Sequence, residues 1–250
     1  MHREFGLIGR GLSHSFSARY FNCKFEAEGL DASYALFDID KISSLADLLS
    51  RTHISGLNVT SPYKREVIPF LDLLSDEAEA LNAVNVIEFI HDDRRRLILK
   101  GHNTDWEGFN LTLNVLPPVK GALILGTGGA SSAVALALAK RGIQHKVVSR
   151  TPSEDQIGYD EANSLIPSHN LIVNATPLGM FPHIDSSPGI DYESLSHSHI
   201  CYDLIYNPEE TLFMKLSKDN GARTFNGLQM LKNQAELAWK IWNRNERQDS

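Results

Sequence analysis

The stretch Leu123-Ile-Leu-Gly-Thr-Gly-Gly-Ala-Ser-Ser132 constrains this chain more than any other. Ala122 to Leu125 is an unbroken apolar run of strand length, and Gly126, Gly128 and Gly129 make a turn. Residues 131–141 then carry Val134, Leu136 and Leu138 among alanines, a composition that suits a helix packed closely on a sheet. A turn with so little side-chain bulk lets backbone N–H groups approach a pyrophosphate, and the start of the following helix adds roughly half a positive charge. The centre of the chain therefore reads as a dinucleotide site. Ser131 stands where G-x-G-x-x-G has its last glycine, and a glycine cluster by itself also fits an ordinary turn before a helix.

The next strand narrows the choice. It is expected over 144–149 and ends in Ser149-Arg150-Thr151, where NAD-binding chains place an acidic residue for the ribose hydroxyls. A guanidinium and two hydroxyls suit a 2′-phosphate instead, so the expected cofactor is NADP.

At 250 residues the chain can form one large domain or two of ordinary size. Its net charge is −7, and its longest basic run, Arg94-Arg-Arg96, follows Asp92-Asp93 as a hairpin tip would. That argues against nucleic acid and anionic membranes as partners. Cys23 and Cys201 lie far apart without metal-ligand spacing, so no metal is expected and reduced thiols point to a cytoplasmic protein. The N-terminus lacks the apolar core of a signal peptide, and no window reads as a membrane span.

In the first hundred residues, strands are expected at 5–8, 33–38 and 56–59, alternating with helices at 17–28 and 42–49, the pattern of a small α/β unit with a mostly parallel sheet. Ser17 is the expected cap of the first helix, and Ser13, His14 and Ser15 before it add donors suited to an anion. Pro62 is expected to begin a helix, placing Asn58, Thr60 and Lys64 around the carboxyl end of a strand, where ligands bind in open α/β sheets. A lysine at a helix start opposes the macrodipole; it either points to solvent or, partly desolvated, serves as a general acid or base. A short helix follows at 76–81, then paired strands at 87–90 and 97–99 and the segment Gly101-His-Asn-Thr-Asp105, with Asn103 or Thr104 as cap of a helix over 104–114. Asp105 either satisfies that helix dipole or steadies the Lys64 ammonium.

Strands are expected again at 171–176, 200–203 and 223–225, with a helix over 211–218 capped by Thr211. The longest helical pattern, 227–244, carries Leu228, Leu231, Ala235, Ala238, Trp239 and Trp242 on one face and is expected to cross back onto the first domain.

Taken together, Ser13-His-Ser-Phe-Ser17, Gly56-Leu-Asn-Val-Thr-Ser-Pro-Tyr-Lys64, Ala83-Val-Asn85, Gly101-His-Asn-Thr-Asp105, Gly126-Thr-Gly-Gly-Ala130, Ser149-Arg-Thr151, Asn174-Ala-Thr-Pro-Leu-Gly-Met180, Tyr202-Asp-Leu-Ile-Tyr-Asn-Pro208 and Asn226-Gly-Leu-Gln-Met-Leu-Lys-Asn-Gln-Ala235 closely resemble the shikimate dehydrogenase family, in the family's order. The resemblance implies a substrate-binding α/β domain over 1–101 plus 227–250, a Rossmann-like NADP-binding domain over 102–226, and reversible reduction of 3-dehydroshikimate to shikimate in aromatic amino-acid biosynthesis. It implies Lys64 and Asp105 as the catalytic pair, Ser15, Ser17, Thr60 and Tyr206 on the substrate carboxylate, and Asn58, Asn85 and Gln234 on the ring hydroxyls. For the cofactor it implies Gly126, Gly128, Gly129, Ala130, Ser149, Arg150 and Thr151, with Thr176, Gly227 and Met230 near the nicotinamide. A small-molecule substrate and a monomer or homodimer complete the expectation.

Two departures bear on the cofactor. The family often has asparagine where Ser149 stands and a basic residue where Glu154 stands, which weakens the expected preference for NADP. A quinate/shikimate dehydrogenase using NAD is the nearest alternative; a methylenetetrahydrofolate dehydrogenase and a catalytically idle acid-binding protein fit less well.

Overall fold

The structure, a computed structural model, describes residues 2–49 and 54–244. The chain divides into two compact units, Met1–Thr104 with Ala235–Ser250, and Asp105–Gln234.

The first unit contains β1 (Arg3–Gly9), α1 (Phe16–Ala27), β2 (Ala32–Asp38), α2 (Leu45–Leu49), β3 (Ile54–Val59), β4 (Leu73–Leu74), α3 (Asp76–Leu81), β5 (Val86–His91) and β6 (Leu97–His102). They form one sheet in the order β2-β1-β3-β5-β6-β4, in which β2, β1 and β3 run parallel and β5 is antiparallel to both its neighbours. β1 lies between β2 and β3 and is covered on both faces, so its apolar run is continuous. Ile8 packs on one side with Leu45, Leu48 and Leu57, while Phe5 and Leu7 pack on the other with Phe21, Phe25 and Tyr34.

Two local expectations change. Ser15, not Ser17, caps α1: its Oγ accepts from the Ser17 N–H at 3.3 Å, because the backbone is already helical at Phe16. No helix begins at Pro62. Turns run over 61–67, because the Lys64 carbonyl accepts from Val84 N–H at 2.7 Å while Ile68 N–H turns to the Arg65 carbonyl. The dipole argument for Lys64 therefore lapses, and what remains is its anchorage to Val84.

The second unit contains α4 (Asp105–Thr112), β7 (Ala122–Leu125), α5 (Gly129–Lys140), β8 (His145–Val148), β9 (Gln156–Ile157), α6 (Tyr159–Leu165), β10 (Leu171–Asn174), β11 (Ile200–Asp203), α7 (Leu212–Asp219), β12 (Arg223–Phe225) and the start of α8 (Leu228–Trp242). Its sheet has the order β12-β11-β10-β7-β8-β9 with every pairing parallel. Strand order reverses between β7 and β10, which creates the crevice where such sheets bind ligands. β9 and α6 have no counterpart in the sequence expectation: two residues of strand give no period, and α6 buries only Ala162.

α8 belongs to both units. Met230 lies in the core that holds Ile124, Val173 and Tyr202, whereas Ala235, Ala238, Ile241 and Trp242 pack with Phe5, Phe21 and Phe25. The Trp242 indole donates to the Ile87 carbonyl at 3.1 Å, which fixes the far end of the helix on the first sheet.

Candidate active site

In the first unit, β1, β3 and β6 end, and β5 begins, at one edge of the sheet. That edge collects the polar residues expected to meet a substrate. Asn58 is 9% exposed and Asn85 2% exposed, and both take part in hydrogen bonds. The Asn58 Nδ2 donates to the Asn85 carbonyl at 3.1 Å; the Asn85 Nδ2 donates to Thr104 Oγ1 at 3.0 Å, and its Oδ1 accepts from Thr104 N–H at 2.7 Å. On the other side, the Tyr34 hydroxyl donates to Asn58 Oδ1 at 2.7 Å. Burial raises the Tyr34 hydroxyl well above its usual pKa, with Ser17 acting against the rise, so it stays a neutral donor.

A continuous line thus joins Tyr34, Asn58, Asn85 and Thr104. The Thr60 N–H donates to the Ile8 carbonyl at 2.9 Å, which holds Thr60 at the same edge. Asp38 steadies the loop before α1: its two carboxylate oxygens accept from Gly11 and Leu12 N–H, each at 3.1 Å. The side chain of His14, one of the donors expected there, lies outside what the structure describes.

Lys64 is partly buried in the turns after β3, with its carbonyl tied to Val84, the residue before Asn85. Asp105, the residue after Thr104, opens α4 in the second unit and is 8% exposed. Tyr206 is 38% exposed, and partial burial raises its hydroxyl pKa. Gln234 is partly buried on α8.

In the second unit, β7 ends in Gly126 with φ of +108°, where a Cβ would sit 3.0 Å from Thr176 Cγ2 and 3.1 Å from the Ala175 carbonyl. Only glycine lets the β7 turn and the β10 turn meet at the crevice. α5 starts on Gly128 with no side-chain cap and no acidic residue in its first turn, and Gly128, Gly129 and Ala130 are exposed. Its first backbone N–H groups are therefore available to an anion. Arg150 and Thr151 are exposed at the end of β8, while Ser149 folds inward, its Oγ accepting from Thr151 N–H at 3.2 Å. Glu154 is exposed. Gly227 donates its N–H to the Ile205 carbonyl at 2.9 Å; a Cβ there would collide with the Leu204 carbonyl oxygen.

A polar knot that sequence reasoning missed braces the ends of β10 and β11. Asp203, fully buried, accepts from Asn174 Nδ2 at 3.1 Å, Thr211 Oγ1 at 2.6 Å and Ile205 N–H at 3.0 Å. Asn174 Oδ1 in turn accepts from the Thr176 N–H and hydroxyl, at 3.0 and 2.7 Å. Burial pushes the Asp203 carboxyl up, and the Thr211, Ile205 and Asn174 donors hold it down. Tyr34 was missed too, because in β2 it reads as an ordinary core position.

Open helix amides after a glycine turn, a guanidinium at the next strand end and no opposing carboxylate in the first helical turn are the donor set that NADP requires. No group of His, Cys, Asp or Glu among the described residues could hold a metal, and no helix there is long and apolar enough to cross a membrane.

An all-parallel sheet whose strand order reverses beside that turn, joined to a second α/β unit with a lysine at its polar edge, defines the class of dinucleotide-dependent oxidoreductases. Residues 7–87 match the model of the shikimate dehydrogenase substrate binding domain. The chain belongs to the shikimate dehydrogenase family. It is 40% identical to shikimate dehydrogenase (NADP(+)) of Carboxydothermus hydrogenoformans over 95% of this chain and 90% of that protein. Among solved structures, it is similar to a chorismate mutase/shikimate 5-dehydrogenase fusion protein from Clostridium acetobutylicum, with TM-score 0.86, 35% identity, and 98% and 92% of the two chains covered. It is likewise similar to shikimate 5-dehydrogenase from Thermus thermophilus in complex with NADP(H) and shikimate, with TM-score 0.83, 31% identity, and 96% and 93% covered.

Proposed function

We propose that this chain catalyses the reversible, NADPH-dependent reduction of 3-dehydroshikimate to shikimate, with Lys64 as proton donor and Asp105 as its partner. The observation that carries the reading is the edge of the first sheet. It offers hydroxyls and amides for a polyhydroxylated carboxylic acid, with Lys64 in the turns beyond them. Relatives with this name match over nine-tenths of their own length.

NADPH, when bound, supplies the hydride. The amides of Gly128, Gly129 and Ala130, after the turn that Gly126 opens, would hold its pyrophosphate; Ser149, Arg150 and Thr151 would hold the 2′-phosphate; Thr176, Gly227 and Met230 would border the nicotinamide. Ser15, Ser17, Thr60 and Tyr206 bind the substrate carboxylate through neutral hydroxyls, and Asn58, Asn85 and Gln234 read the ring hydroxyls. As negative charge develops on the carbonyl oxygen, Lys64 meets it with a proton. Asp105 keeps the ammonium aimed and accepts from a neighbouring substrate hydroxyl. In this reading Met1–Thr104 with Ala235–Ser250 is the substrate domain and Asp105–Gln234 the NADP domain. The protein acts in the cytoplasm as a monomer or homodimer, without nucleic-acid or membrane partners.

The test is formation of NADPH from shikimate and NADP at alkaline pH, followed by absorbance; a protein inert in that assay refutes the reading. Asp105→Asn is expected to lower kcat and raise the KM for shikimate together, and wild-type kinetics there would remove Asp105 from the pair. Arg150→Ala is expected to raise the KM for NADPH about tenfold and leave that for NADH unchanged, one charge-assisted hydrogen bond being worth about 1.5–3 kcal/mol. If quinate with NAD outperforms shikimate with NADP in kcat/KM, Glu154 has changed the cofactor and the substrate is quinate.

A further inference from the structure

Two ionisable side chains of the first unit are buried and have no part in the proposed chemistry. Glu88 on β5 and His102 on β6 are each 6% exposed, and the His102 Nε2–H donates to Glu88 Oε2 at 2.8 Å. In the antiparallel pairing Glu88 opposes Lys100 and Val86 opposes His102, so Glu88 and His102 are diagonal neighbours on one face of the sheet. That face is the one α8 covers. Val86 packs with Ala235 and Ala238, and Gly56, opposite Glu88 on β3, has the Trp242 indole where a Cβ would stand.

Apolar side chains of similar volume would fill this place at least as stably, because a buried pair must offset the desolvation of both its members. What the pair adds is register. A slip of β6 by one residue would turn His102 to the opposite face and leave Glu88 buried without its partner. In the same register the Asn85 N–H donates to the His102 carbonyl at 3.0 Å, and the Thr104 N–H reaches Asn85 Oδ1 at 2.7 Å. Asp105 follows Thr104 directly. We infer that Glu88 and His102 are positioning residues for Asp105: their bond fixes the end of β6, and with it the point from which that carboxylate is presented. This rests on the reading of Asp105 as the partner of Lys64.

The test replaces the pair rather than breaking it. Glu88→Met with His102→Leu nearly keeps the volume and leaves neither partner buried alone, so the Tm is expected to equal or exceed that of the wild type. The kcat for shikimate is nonetheless expected to fall about tenfold and its KM to rise, as when Asp105 itself is altered, the loss being on the scale of one well-placed hydrogen bond. The Kd for NADP, read by calorimetry, is expected to stay unchanged. In an Asp105→Asn background the double replacement is expected to change neither kcat nor KM further, because the group being positioned is already gone. A pair that serves stability alone would leave kcat and KM at their wild-type values in the double variant, or shift them by one factor in both backgrounds; either result overturns the inference. If the double variant does not fold, Glu88→Gln, which keeps an acceptor for His102, is compared with Glu88→Met. Wild-type kinetics for the first and the tenfold loss for the second are expected, and equal kinetics overturn the inference. Wild-type kinetics in Asp105→Asn alone would refute the role proposed for Asp105 and this inference with it, whereas a slow Asp105→Asn with additive losses refutes this inference only.

Discussion

Replacing Lys64 by alanine is expected to lower kcat by a factor on the order of 10²–10⁴, the contribution of a positioned general acid, while the KM for shikimate moves little. The asymmetry follows from the place of the residue. Its backbone is anchored by the Val84 N–H, so truncating the side chain leaves Asn85 and its bonds to Thr104 where they are. Ground-state recognition by the serines and asparagines persists, and what disappears is the group that meets charge formed only in the transition state. Steady-state rates of NADPH formation from shikimate measure both parameters. An unchanged kcat would take lysine out of the chemistry.

Asp203→Ala is expected to be the most destabilising single change in the second unit. The carboxylate is fully buried and accepts from Asn174, Thr211 and Ile205, so its removal leaves several buried donors unpaired. The expected loss is about 3 kcal/mol or more, or a fall in Tm of about 6–12 °C. Weakened NADP binding should accompany it, because Asn174 also fixes the turn at Thr176. Asp203→Asn separates charge from shape. Burial raises the carboxyl of the folded protein above its ordinary value of 3.8. Between that value and the raised one the folded state holds the proton more tightly, so stability from this group falls as pH rises. Urea midpoints between pH 4 and 6 should show that decline in the wild type relative to Asp203→Asn. Parallel curves would mean that the donors cancel the effect of burial.

The cofactor half was legible because each of its signals is local. An apolar run, a glycine turn and an alanine-rich segment specify strand, turn and helix within about twenty residues, and Arg150 follows at the next strand end. Thr211 caps α7 where the sequence places it, since capping depends on a residue and the amides just after it. Pro62 misled for the complementary reason. The amide that takes the Lys64 carbonyl out of a helix belongs to Val84, twenty positions away, and no local rule contains it.

Residue types alone determined the family, the mostly parallel α/β character and the identity of the polar groups, because glycine turns, caps and apolar periods act over short distances. Only the tertiary structure decided how those groups are wired. The order of the strands sets Asn58 against Val86 and Val86 against His102, and so brings Asn85 to Thr104. It also turns Tyr34 from a core residue into the donor that holds Asn58 Oδ1. The physical reason is that a hydrogen bond requires its atoms within about 3 Å of each other. Across a sheet, that distance is set by register and not by separation along the chain.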